Sequence, residues 1–179
     1  MILGKKVNLK AIEPEDLPQL MKWRNLPDFR KHFREYREIS SVMQEDWYKN
    51  TVLNDRNTIM FSIYSSGNDE LIGCSGLCYI NWIHRHAELS LYIGYEEEYI
   101  DDYGYAEEAV QLLANYVFNE LNLHKIWTEI YEFDLKKMAL YEKLGFLQDG
   151  FLRDNYFYDG RWWGSIILSL IAGQYRKQN

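Results

Sequence analysis

The chain has little cysteine, little proline and no surplus of positive charge. Only Cys74 and Cys78 occur in 179 residues. On one strand their α-carbons would lie roughly 13 Å apart, beyond the ~7 Å that a disulfide spans. A disulfide-stapled fold is therefore excluded, and two unpaired thiols point to a reducing, cytoplasmic setting. Twenty lysines and arginines face 27 acidic residues, a formal net charge of −7, which argues against a nucleic-acid binder. Among the four histidines, His84 and His86 fall on one face but have no third ligand beside them, so no metal site is expected. The longest apolar run, near Ile166 to Ala172, is far short of the ~20 residues of a membrane span. Met1-Ile2-Leu3-Gly4-Lys5-Lys6 has no apolar signal core. Repeats and low-complexity segments are missing too. The 47% hydrophobic and 16% aromatic content fits one domain over residues 1–179, long enough to bury a full core.

Periodicity sets out the elements. Lys5 to Ile12 alternates as a first strand, and Pro14 with Glu15 and Asp16 opens a helix that closes near Asn25. Asn25, Pro27 and Asp28 break the chain. From Phe29 to Glu38 run four cations, Arg30, Lys31, Arg34 and Arg37, interleaved with Phe29, Phe33 and Tyr36. This segment reads either as a solvated amphipathic turn or as a lid over an acceptor pocket. A helix is predicted over Ser41–Leu53 and strands over Thr58–Tyr64 and Leu71–Trp82, joined by a hairpin at 65–69. Lys125–Tyr131 is a further strand, Asp134 is placed to cap the next helix, and Gly145 is a left-handed stop. Asp159-Gly160 marks a final hairpin.

The centre of the chain is Ala87 to Leu121. Leu89, Leu91 and Ile93 alternate against Glu88, Ser90 and Tyr92, as on a strand. Ala106, Ala109, Val110, Leu113, Ala114, Val117, Phe118 and Leu121 then form one helical stripe. Between them, Asp101-Asp102-Tyr103-Gly104-Tyr105-Ala106 brings a tight turn to a helix N-terminus, the geometry of a phosphate cradle. A helix crossover makes this strand and Lys125–Tyr131 parallel, with a ligand crevice expected at their ends.

This order of elements, with Gly104-x-Ala106 and Tyr141-Glu142-Lys143-Leu144-Gly145-Phe146, resembles the GNAT (Gcn5-related N-acetyltransferase) family. It is most similar to the branch of ribosomal-protein N-terminal, spermidine and amino-sugar acetyltransferases. Asn81 to Leu89 is similar to the spermidine enzymes, whereas Trp23-Arg24-Asn25 is more like the amino-sugar nucleotide enzymes. The resemblance implies an α+β fold: a mixed, mostly antiparallel sheet of about six to seven strands flanked by about four helices. It implies acetyl-CoA as acetyl donor, direct transfer to a primary amine (polyamine, amino sugar or protein N-terminus) and a homo-oligomer without nucleic-acid or membrane partners.

The family's cofactor motif falls on Asp101, Gly104 and Ala106, with Asp101 replacing a basic or amide residue. A carboxylate some 5 Å from a pyrophosphate repels it by roughly 1 kcal/mol in a well-solvated setting, so weakened coenzyme binding is expected. Implied cofactor contacts are Tyr92, Ile93, Asp101, Asp102, Tyr103, Gly104, Tyr105, Ala106, Asp134 and Lys137, with Lys136 beside them. Glu88 is the expected base and Tyr141 the expected acid toward the leaving thiolate. A backbone amide between Ser90 and Ile93 is expected to hold the carbonyl oxygen as it gains charge. Acceptor contacts are expected from Trp23, Phe29, Phe33, Tyr36, Trp47 and Glu88, and from the hairpin around Tyr156 and Tyr158. A second reading of different class stays open, a GNAT-fold module that binds coenzyme or amine without turnover.

Overall fold

In the computed structural model, which describes residues 1–178, eight strands pair edge to edge into one sheet. Strands β1 (Ile2–Leu3), β2 (Val7–Ala11), β3 (Ile59–Ser65), β4 (Leu71–Asn81) and β5 (His86–Ile93) run antiparallel in sequence order. Strand β6 (Lys125–Tyr131) lies parallel to β5. The last hairpin then folds back so that β8 (Arg161–Ile171) inserts between β6 and β7 (Leu147–Tyr158). Local patterning predicts a terminal hairpin but not which of its strands meets β6. That pairing, from Lys125↔Ile171 to Tyr131↔Ser165, is a long-range contact. It leaves β7 as an edge strand.

The described residues form six helices. Helices α1 (Leu17–Asn25), α2 (Pro27–Arg30) and α3 (Ser41–Trp47) precede β3. Where a chain break was expected, Pro27 opens the short α2, its fixed φ suiting a first helical position. The helix predicted over Ser41–Leu53 is α3 followed by a turn of π-helix at Tyr48–Val52. The longest helix, α4 (Tyr105–Asn119), buries the predicted stripe from Ala106 to Phe118. Helices α5 (Leu135–Lys143) and α6 (Ala172–Gln178) complete the chain. Asp134 caps α5 by accepting from the Lys137 amide at 3.1 Å, and Gly145 ends it at φ 81°. Asp159 and Gly160 both take positive φ, 51° and 75°, as a two-residue hairpin turn of the right twist requires. Cys74 and Cys78 are both free, on β4.

Cross-strand register sorts the helices by face. Leu91 lies opposite Ser75, and Ser75 opposite Phe61, whose ring meets Tyr116 of α4 at 5.9 Å. The other face carries Tyr92, which meets Trp23 of α1 and Phe29 of α2 edge-on at 6.4 and 6.3 Å. The core thus lies in two layers, one on each side of the sheet.

Candidate active site

Strands β5 and β6 pair at only three positions, His86↔Lys125, Ala87↔Ile126 and Glu88↔Trp127. Beyond Glu88 they diverge, and the wedge between them is where a ligand can reach backbone. Alternate residues of β5 turn their amides to opposite neighbours. Gly94 donates to Ile72 next to β4, whereas Ile93 donates to the Tyr99 carbonyl at 2.9 Å, away from β4. The same alternation turns the Leu89 and Leu91 amides away from β4: that of Leu89 closes the last bond of the short ladder, to the Trp127 carbonyl, and that of Leu91 faces the wedge. Thr128 marks its apex, with Oγ1 3.4 Å from the Leu89 carbonyl.

Glu88 stands at the mouth of the wedge, 7% exposed. Its carboxylate is bridged by Arg34: Nη1 donates to Oε2 at 2.9 Å and Nη2 to Oε1 at 2.6 Å. The same Nη2 donates to Glu129 Oε2 at 2.7 Å. Glu129 shares the face of Glu88 because Trp127, its neighbour two back, is in parallel register with Glu88. Asn155, in a β7 irregularity, donates to Glu129 Oε1 at 2.8 Å and fixes its orientation. The guanidinium is held charged by these bonds, against the opposing effect of burial. A bulge in β4 after Cys78 puts Tyr79 at φ 50° and its ring 6.0 Å from the Arg34 guanidinium. From this seat the cleft continues along Ser90 and Arg24 toward Glu35, Met43, Trp47 and Met60.

Deeper in the wedge is a polar cluster. His32 stacks on Tyr99 at 4.1 Å, and its Nδ1 approaches Asp134 Oδ2 to 3.1 Å without the alignment of a hydrogen bond. Burial pushes the Asp134 carboxyl up, and His32 with Lys137 more than reverses this, leaving it below the ordinary range. Lys137 is 8% exposed, and its ammonium lies 4.8 Å from the Tyr99 ring centroid. Burial brings its pKa down to about 8 despite the attraction of Asp134 and Glu88. The hydroxyls of Tyr99 and Tyr141 are buried and make no hydrogen bond of good geometry among the described residues, with the Thr128 hydroxyl beside that of Tyr141. Burial raises both phenols above their ordinary value, so each stays protonated.

At the other end, Gly104 takes φ 87° and starts α4. Here the structure adds what the sequence reading lacked. Asp101, 9% exposed, turns inward and accepts from the amides of Tyr105 and Ala106 at 2.8 and 2.7 Å. The carboxylate expected to confront a phosphate from the side is itself lodged on the amides of the cradle. Its neighbours are engaged likewise: Tyr103 donates its hydroxyl to Glu96 at 2.8 Å, and Lys136 pairs with Glu98 at 2.8 Å. Asp102 is exposed.

The predicted residues divide accordingly. Glu88, Phe33, Lys137 and Asp134 gather around the wedge, with Tyr141 enclosed behind it. Trp23, Phe29 and Tyr92 are buried core, and support the site from below instead of lining its entrance. Tyr36 is 79% exposed and touches none of it. The Ile93 amide, one of those expected to hold a carbonyl oxygen, is already taken by Tyr99, and the amides of Ser90 and Tyr92 face β4, which leaves Leu91. Sequence reasoning missed Arg34, Glu129, Asn155 and His32 as site residues. Glu129 carried a readable signal, an acidic side chain in the middle of a buried strand.

Comparison with known proteins bears on this geometry. A sequence model described as Acetyltransferase (GNAT) domain matches residues 9–167. Spermidine N(1)-acetyltransferase of Vibrio cholerae is 29% identical over 174 residues, 97% of this chain and 97% of that protein. The crystal structure of spermidine N-acetyltransferase from Vibrio cholerae in complex with CoA and spermine has a TM-score of 0.87 at 28% identity, covering 96% of this chain and 98% of that one. A dodecameric structure of the same enzyme in an intermediate state has a TM-score of 0.80 at 26% identity, covering 97% and 98%.

Proposed function

The chain belongs to the GNAT acetyltransferase family, and on that premise we propose that it moves the acetyl group of acetyl-CoA to a primary amine of a linear polyamine seated at Glu88. The observation that carries this reading is the wedge itself. A carboxylate stands at its mouth, the unclaimed Leu91 amide along its edge, and a buried phenol behind it.

Acetyl-CoA supplies a thioester carbonyl when bound. The residues around the wedge then have separate tasks. Glu88 accepts a proton from the entering ammonium, directly or through water, once its oxygens are released by Arg34. The Leu91 amide steadies the carbonyl oxygen as it gains charge. Tyr141 gives its proton to the departing thiolate. A buried hydroxyl without a partner costs about 1–3 kcal/mol, and a ligand atom at that point removes the cost. The Tyr99 and Tyr141 hydroxyls and the free Leu91 amide fit a pantetheine arm. The cradle fits a pyrophosphate only after Asp101 gives up its two amides.

The polyamine reading is supported by the two carboxylates at the mouth, by the apolar run of Met43, Trp47 and Met60 beyond it, and by the spermidine enzymes among the relatives. One observation favours a second acceptor. Arg24 lies over the Phe33 ring at 3.8 Å with no ion-pair or hydrogen-bond partner among the described residues, which suits an anionic group near the amine, as in an amino-sugar nucleotide. The deciding experiment follows free thiol from acetyl-CoA with polyamines, amino-sugar nucleotides and N-terminal peptides. Polyamine turnover that Glu88→Gln abolishes supports the reading; turnover with another class alone overturns it.

We also assign the chain to a homo-oligomer in the cytoplasm. The oligomer is supported by the exposed Leu147, Phe151, Leu152 and Phe157 along edge strand β7 and by the dodecameric relative. The compartment is supported by the two free thiols.

A further inference from the structure

The segment from Lys31 to Ser40 is tied at both ends. At one end the Tyr156 hydroxyl donates to the Lys31 carbonyl at 3.0 Å. At the other, the Asn25 side chain accepts from the Ile39 amide and donates to the Ile39 carbonyl, both at 2.8 Å. Between these ties Arg34 reaches down and joins two carboxylates from adjacent strands. Its fork meets both Glu88 oxygens and one of Glu129, with Tyr79 above. No other basic side chain pairs with either carboxylate among the described residues.

We propose that Arg34 is a resident cation in the acceptor seat, exchanged for the incoming amine, and that Glu129 together with Glu88 selects acceptors carrying two positive charges.

This rests on the reading that the amine enters at Glu88. The physical case is one of matching. Two nearby carboxylates left without a cation repel each other, so the seat is held filled. A guanidinium fills it well because its donors lie in a rigid fork that serves several oxygens at once. A monoamine brings one charge and can answer one carboxylate. A diamine brings two and leaves neither unpaired. The strap offers the means of exchange: its ends stay tied while the Arg34 side chain, 48% exposed, swings out to solvent. Glu88 regains free lone pairs only at that moment, so the base becomes available when the acceptor arrives.

The test is calorimetric binding of butylamine, with one charge, and putrescine, with two, to the wild type, Arg34→Gln and Glu129→Gln. Removing Arg34 removes the same competitor for both ligands, so Arg34→Gln is expected to tighten both by about tenfold. Glu129→Gln is expected to lower the preference for putrescine over butylamine by a similar factor of about ten. Arg34→Lys, whose single ammonium cannot bridge both carboxylates, falls between wild type and Arg34→Gln, and serves if the glutamine variant folds poorly. Unchanged or weaker amine binding in Arg34→Gln and Arg34→Lys overturns the exchange. An unaltered preference in Glu129→Gln overturns the selection. Because the readout is binding, it decides the inference whether or not polyamines are turned over, and the thiol assay separately decides the reading beneath it.

Discussion

Replacing Asp101 with asparagine keeps the shape of the α4 cap and removes its charge. Two opposing effects follow from the same pair of bonds. The carboxylate accepts from the Tyr105 and Ala106 amides at 2.8 and 2.7 Å. Asparagine keeps one acceptor oxygen and turns an N–H toward the other amide. The loss of such a cap costs about 0.5–2 kcal/mol. For a chain of this size each kcal/mol moves Tm by roughly 2–4 °C. Coenzyme binding should move the other way. At ~5 Å and an effective dielectric between ~20 and ~80, the repulsion between this carboxylate and one phosphate charge is about 0.8–3 kcal/mol. Its removal tightens acetyl-CoA by roughly fourfold to somewhat over a hundredfold, at about 1.4 kcal/mol per decade. The assay is calorimetry of acetyl-CoA on both proteins at about 0.01 M and about 0.1 M salt, where the Debye length falls from ~30 to ~10 Å. Screening relieves a repulsion present only in the wild type, so added salt should narrow the gap between them. If Asp101→Asn melts lower but binds acetyl-CoA no better, the phosphates do not use the Tyr105 and Ala106 amides. Weaker binding would mean that the carboxylate shapes the loop for its ligand.

Tyr141→Phe is expected to lower kcat and kcat/KM together by about 10²-fold, the scale of a lost general acid. Because the hydroxyl makes no hydrogen bond of good geometry, its removal should leave Tm unchanged or higher; near-wild-type turnover would remove Tyr141 from the chemistry. Lys137, with a folded pKa of about 8 against an ordinary 10.5, releases its proton earlier in the folded state than in the unfolded one. The unfolded chain therefore binds more protons between those values, and stability should rise with pH across that window, by on the order of 3 kcal/mol. Thermal melts of the wild type and Lys137→Met across this range should show a rising difference lost in the variant, and parallel curves would place the Lys137 ammonium in water.

Much of the fold was legible because its signals are local. The strand Lys125–Tyr131, the Asp134 cap, the Gly145 stop and the Asp159-Gly160 turn each depend on a few neighbouring residues, and each formed as read. The insertion of β8 between β6 and β7 was not legible, since nothing near either strand names its partner. The site followed the same division. Glu88 shows in the strand alternation and Tyr141 in the motif around it, whereas Arg34 meets Glu88 across 54 positions of sequence. Asp101 had a local signal, an aspartate shortly before two free helix amides, that comparison with the family pattern obscured.

The three-pair contact between β5 and β6 also divides the sheet mechanically. Residues 1–93 build β1 to β5, and α4 packs against β2, β4 and β5, so it belongs with them. Beyond it, β6, β8 and β7 form a second ribbon whose own pairing is continuous from Lys125 to Tyr131. Between the two ribbons run the short ladder, the Thr128 contact, the Arg34 bridge from Glu88 to Glu129 and the Tyr156 bond to Lys31, so the seam is the natural place for a partial opening in which the second ribbon detaches while the first stays folded. A molecule lying in the wedge touches both ribbons and acts as a bolt. Hydrogen exchange would register this directly: the Leu91 amide would exchange quickly in the free protein and slowly in the loaded one, while amides of β2 and β3 hardly changed. On the proposed reading, the wedge that admits the donor is also a seam of the sheet, and donor binding would join the two ribbons into one cooperative unit.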